Sequence, residues 1–155
     1  MRIIGIDPGT AITGFGVIEY ERGRYAFVDA GVITTPTGQD MPRRLVTLYE
    51  ELGQVLRDTR PDQASVEKLF FSTNVTTGIG VGQARGVILL ALAQAGLIPA
   101  EYTPMQVKQA VTGYGAAKKP QIQEMVRVLL NLPAIPKPDD AADALAIAMT
   151  HAHQV

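Results

Sequence analysis

Three β-type segments crowd into the first 34 residues, and the links between them are too short for anything but tight turns. No other feature constrains the fold as strongly. Residues 2–7 (Arg-Ile-Ile-Gly-Ile-Asp) form a near-continuous apolar run of the kind a buried strand needs, and Pro8-Gly9-Thr10 is a turn signal. Residues 14–20 and 25–34 read as the second and third strands, joined by the polar turn Glu21 to Arg24. Strands this close in sequence pair as an antiparallel meander. The period then changes. A helix is expected over about 41–58, with Asp40 as N-cap and Leu45, Leu48, Leu52, Val55 and Leu56 as its core stripe. Pro61 breaks the chain before a fourth strand over 62–67, and a second helix runs from about 74 to 95 with Gly96 at its C-terminal cap. A fifth strand over 97–102 and helices over 104–111, 119–131 and 139–152 complete the chain. Helical crossovers make the later strands parallel to the first. The expected result is an α/β fold with a five-stranded mixed sheet and helices on both faces.

Composition narrows the function. The 155 residues suit one domain, 1–155, with one core, and 46% apolar against 19% charged residues is a globular balance. No run of about 18 apolar residues is present to span a membrane, and the N-terminus lacks the pattern of a signal peptide. The absence of cysteine excludes disulfides, thiolate nucleophiles and Cys-zinc sites, and fits a cytoplasmic location. Charge is unevenly spread. Pro104 to Lys137 holds five cations and one acid, net +4, in a chain whose total is −1, so the remainder carries −5. An acidic site beside a basic flank produces that distribution, and so does an ordinary solvated surface.

Four acids stand out by position. Asp7 ends the first strand and Glu67 the fourth, and ligands of open α/β sheets gather at such carboxyl ends. Asp140 and Asp143 are three apart near the start of the last helix and so share one face. Each has a plain structural alternative: Asp7 as a turn former, Glu67 as an ion-pair partner, Asp139 and Asp140 as helix cap and first-turn acid. Brought together, four carboxylates need cations or raised pKa values. Oxygen donors without Cys favour Mg²⁺ or Mn²⁺ over zinc.

Residues 3–9 (Ile-Ile-Gly-Ile-Asp-Pro-Gly), 66–70 (Val-Glu-Lys-Leu-Phe), 82–86 (Gly-Gln-Ala-Arg-Gly), 107–109 (Val-Lys-Gln) and 139–151 (from Asp-Asp-Ala-Ala-Asp to Met-Thr-His) resemble, in this order, the RuvC family of Holliday-junction resolvases. The resemblance spans nearly the whole chain. It implies a ribonuclease H-like fold and an acidic tetrad at Asp7, Glu67, Asp140 and Asp143. It implies DNA contacts at Phe70, Lys108 and Lys119, with Phe71 and Lys118 as adjacent residues of the same type. Phe70 is expected to act as an aromatic wedge at the crossover, where stacking on a base supplies about 1–3 kcal/mol. Also implied are a homodimer, two Mg²⁺ per subunit with Mn²⁺ as a substitute, four-way junction DNA as substrate, and the branch-migration proteins RuvA and RuvB as partners. Two-metal hydrolysis leaves a 5′-phosphate and a 3′-hydroxyl.

Three rival functions are weighed. An actin-like or sugar-kinase ATPase shares a strand-end Asp followed by Gly-Thr, but needs two domains. Another ribonuclease H-like nuclease would act on RNA or a hybrid, and a non-catalytic junction-binding module would be expected to lose an acid. Two further features invite over-reading. Gly78, Gly82 and Gly86 recur every four residues and form a groove for the sheet, a dimer partner or DNA, not a phosphate loop, since no strand precedes them. His151 and His153 face apart on the last helix and are expected at the surface.

Overall fold

The computed structural model describes residues 1–68 and 75–155, together with the helical backbone of 75–77 within the second range. One sheet of order β3-β2-β1-β4-β5 organises all of it. Its strands are β1 (Arg2–Asp7), β2 (Ile12–Glu21), β3 (Arg24–Thr34), β4 (Gln63–Glu67) and β5 (Ala100–Tyr102). The β1–β2 and β2–β3 pairs are antiparallel, while β4 runs parallel to both β1 and β5. The helices are α1 (Met41–Thr59), α2 (Val75–Gln94), α3 (Pro104–Thr112), α4 (Lys119–Leu129) and α5 (Asp139–Gln154). β5 has three residues where six were expected. Pro99 has no N–H to give a ladder and Gly96 is still turning at φ 81°, so pairing starts only at Ala100.

Alternation along β1 divides the core. Ile4 and Ile6 join Phe15, Val17, Leu48, Leu52, Leu56, Ile88 and Leu92, beneath α1 and α2. Ile3 faces the other way, with Val107, Val126, Leu145 and Ile147 of α3, α4 and α5. Leu48, Leu52 and Leu56 are the buried members of the α1 stripe, and Asp40 caps this helix by accepting from the Arg43 amide at 3.1 Å. Thr103 and Gln106 cap α3 reciprocally.

Backbone meets backbone beneath α5. A Cβ on Gly5 would stand 2.5 Å from the Ala148 amide nitrogen, one on Gly16 2.6 Å from that of Leu145, and one on Gly14 2.6 Å from the Asp140 carbonyl carbon. Real Cβ atoms do not approach so near. Three glycines on β1 and β2 therefore meet an alanine-rich helix, with Ala141, Ala142, Ala144, Ala146 and Ala148 all buried, and the backbones lie almost in contact. Ser65 pins the same helix by donating to the Ile147 carbonyl at 3.0 Å. This seating sets where the first turn of α5 falls relative to the ends of the strands.

Candidate active site

Asp7 and Glu67 leave the sheet side by side, because Ile6 is the register partner of Val66 in the parallel β1–β4 pair. The glycine-seated α5 then delivers its first turn over the end of β1. Carboxylate oxygens of Asp7, Asp140 and Asp143 lie within 4.8 Å of one another. Glu67 is not in that triplet. It stands at the adjoining strand end and lines the clefts on both sides of the cluster.

The electrostatics of this group are unfavourable. Burial, then the charges of Glu67, Asp143 and Asp140, push the Asp7 carboxyl up to about 8, against the pull of Lys119. Burial and the Asp143 charge raise Glu67, opposed by Lys119 and Lys108. Asp143 is raised chiefly by burial, although Lys119 opposes that as a charge and a hydrogen-bond donor. All the donors are hard oxygens, without His or Cys, and the Lys119 ammonium offsets only part of their charge. A divalent cation of the Mg²⁺ or Mn²⁺ type fits this donor set. Asp7, Asp140 and Asp143 are the residues placed to hold it, with Glu67 next to them.

The basic flank is adjacent. A cleft of about 510 Å³ opens from the cluster and is lined by Glu67 and Asp143 together with Lys108, Lys118 and Lys119. Lys108 projects from α3, while Lys118 and Lys119 stand at the N-terminus of α4. Lys119 pairs with the acids while half exposed. Its Nζ is 3.3 Å from Asp143 Oδ2 and 3.7 Å from Asp139 Oδ2. Phe70 and Phe71 lie outside the described residues.

A second cleft, of about 280 Å³, opens on the other side of Glu67. It is lined by Asp7 and by two cations the sequence reading passed over, Lys68 and Arg85. Arg85 is 9% exposed; its Nη2 donates to Glu101 Oε1, and its Nη1 has no partner among the described residues. A signal for it was available. Arg85 lies between Ala84 and Ile88 on the buried side of α2, where a charge needs a reason.

Two expectations need correction. His151 is not at the surface. It is 9% exposed, with Nδ1 2.8 Å from the Tyr102 hydroxyl and Nε2 beside Gln63 Oε1. Helix α5 is buried on nearly every side almost to its end, so proximity to a C-terminus did not bring exposure. His153 is exposed as expected. The groove of Gly78, Gly82 and Gly86 is not filled by the sheet at Gly86, which is exposed and would meet nothing within 4 Å if it carried a Cβ. Gly80, on the same helix, packs inward, with its Cβ position 3.1 Å from Thr10 Oγ1.

A ribonuclease H-like sheet with clustered carboxylates at its parallel strand ends defines a metal-dependent nuclease class. The model of the family "Crossover junction endodeoxyribonuclease RuvC" matches residues 3–151. A protein of that name from Chloroflexus aurantiacus is 58% identical over 153 residues, covering 99% of this chain and 93% of the relative. Another, from Desulfitobacterium hafniense, is 59% identical over 155 residues, covering 100% and 94%. The chain belongs to the RuvC family. Among solved structures, T. thermophilus RuvC in complex with a Holliday junction substrate superposes with a TM-score of 0.95 at 37% identity, covering 99% of this chain and 94% of that one. The yeast mitochondrial resolvase Ydc2, 14% identical with a TM-score of 0.70, shares the fold.

Proposed function

We propose that this chain is a single nuclease domain, 1–155, that resolves four-way DNA junctions by symmetrical nicking, working in the cytoplasm as a homodimer in recombination and repair. The observation that carries the proposal is the approach of the Asp7, Asp140 and Asp143 carboxylates to within 4.8 Å of one another. Such a cluster is costly in any protein that does not hold a cation there. Bound there, two Mg²⁺ would activate a water and stabilise the departing 3′ oxygen, leaving a 5′-phosphate and a 3′-hydroxyl.

The residues of the chain supply the rest. Asp7, Asp140, Asp143 and Glu67 hold the cations and orient the attack. Lys108, Lys118 and Lys119 line the cleft that receives the strand and neutralise its phosphates. Phe70, with Phe71 beside it, is assigned the wedge at the crossover on the strength of the family motif. RuvA and RuvB are the partners that family membership suggests. The test compares cleavage of a four-way DNA junction, a linear duplex and an RNA–DNA hybrid, with Mg²⁺, with Mn²⁺ and with EDTA. Cleavage of the junction alone, and only with a divalent ion, is expected. Preferential cutting of the hybrid would reassign the substrate to RNA, and junction binding without any cleavage would leave only a binding module.

A further inference from the structure

Lys119 occupies a position that its role as a DNA contact does not explain. Of the three lysines in the basic cleft, it alone lies within 4.0 Å of carboxylates among the described residues, those of Asp139 and Asp143, and the nearer, Asp143, belongs to the metal cluster. We propose that Lys119 is the resident counter-ion of Asp143 and surrenders that carboxylate to the metal only as it moves to a DNA phosphate, so that metal and DNA bind cooperatively through this one side chain. The inference rests on the metal-nuclease reading above and adds to it an order of events.

The physical basis is competition for one group. Asp143 Oδ2 faces the Lys119 ammonium at 3.3 Å, and the same side chain offers an oxygen to the cluster with Asp7 and Asp140. A divalent ion ligated there would stand within a few ångströms of the Lys119 ammonium, a repulsion that the solvent only partly screens. Separating the two cations relieves it. Lys119 is able to leave. It is the first residue of α4, its side chain is 53% exposed, and a lysine carries a compact charge on a flexible stem. It also has a destination, because the cleft that holds it is the one lined by Lys108 and Lys118, where a phosphate would enter. Without DNA, Lys119 lessens the repulsion among the acids and competes with metal. With DNA, a phosphate draws Lys119 away and frees Asp143. Linkage makes the effect reciprocal, so metal must tighten DNA binding by the same factor. A nuclease built this way charges fully with metal only on its substrate.

The experiment measures Mn²⁺ binding to the intact protein by electron paramagnetic resonance of the free ion, for the wild type, Lys119→Gln, Lys119→Arg, Lys108→Gln and Asp143→Asn. Lys119→Gln should bind Mn²⁺ about three- to fivefold tighter, the scale of a lost partly exposed ion pair. Lys119→Arg and Lys108→Gln should stay within about twofold of wild type, since the former keeps the paired charge and the latter never held Asp143. Junction affinity is then measured with and without Ca²⁺, whose tightening effect should be smaller in Lys119→Gln than in wild type. Unchanged or weaker Mn²⁺ binding by Lys119→Gln, equal tightening by Lys119→Arg, or undiminished coupling to DNA would each overturn the inference while leaving the metal site standing. Mn²⁺ binding that Asp143→Asn does not weaken would take Asp143 out of the metal set, and this inference with it; no Mn²⁺ binding by the wild type would remove the metal-nuclease reading.

Discussion

Helix α5 carries polar groups into the protein at both ends, and the two ends are opposites. At its start, Asp140 and Asp143 join Asp7 at the carboxyl ends of the parallel strands, like charge against like charge. At its finish, His151 lies between Tyr102 and the first residue of β4, Gln63, with a partner for each ring nitrogen. Both regions are partly or wholly buried, and both link the sheet to the same helix. One satisfies itself and the other requires something from outside. Buried polar groups that serve only the fold are expected to be paired. A cluster left in mutual repulsion is therefore where the proposed metal and substrate would act.

The comparison can be broken or sharpened at several points, starting with the largest effect. Replacing Asp7, Glu67, Asp140 or Asp143 by its amide should lower Mg²⁺-dependent junction cleavage by about a thousandfold or more while junction binding persists. Gel assays of cleavage and binding on the same preparations check this, and near-normal cleavage by any one variant removes that residue from the metal set. Gly16→Ala should come next. A methyl group 2.6 Å from the Leu145 amide forces α5 off the sheet, costing about 1–3 kcal/mol and displacing Asp140 and Asp143. Denaturant melts and Mn²⁺ titration should show both losses together; a stable variant with intact Mn²⁺ binding would mean the close seating does not position the site. Tyr102→Phe strips one partner from His151 and should cost about 1–3 kcal/mol with Mn²⁺ binding unaltered, because the two ends of the helix act independently.

The pH dependence separates the two ends by sign. Asp7 is raised in the folded state from 3.8 to about 8. Its neutral form favours folding, so its contribution is fully present below about pH 4 and is lost as pH rises toward and through 8. His151 is depressed by burial, so its contribution is present above its ordinary value of 6.5 and is lost as pH falls below it. In EDTA, the melting temperature of Asp7→Asn should gain on wild type as pH goes from 5 to 8, and Mg²⁺ should abolish that gain. A constant difference across the range would mean that Asp7 ionises normally. The smallest effect belongs to the basic flank. Lys108→Ala should weaken junction binding across sequences and lower its salt slope by about one ion. An unchanged slope would show that Lys108 does not meet a phosphate.

Much of this was legible in the residues. The strand periodicity of 2–34, the α1 stripe with its Asp40 cap, and the strand-end or helix-face placement of the four acids follow from local rules that act within a few residues. Those rules need no knowledge of what lies across the sheet. The sequence by itself thus determined the element order and the mixed sheet, and it singled out Asp7, Asp140 and Asp143, whose carboxylates the fold brings together. Only the tertiary structure decided how close Asp140 and Asp143 come to Asp7, since that depends on Gly5, Gly14 and Gly16 letting one backbone rest on another. Tertiary structure also decided that Lys119 turns toward Asp143 and that His151 is buried, and it placed Arg85 beside the site. Each of these depends on contacts between residues remote in the chain. Period and propensity carry no information about such contacts, because the energy of a charge or an imidazole is set by what surrounds it in space.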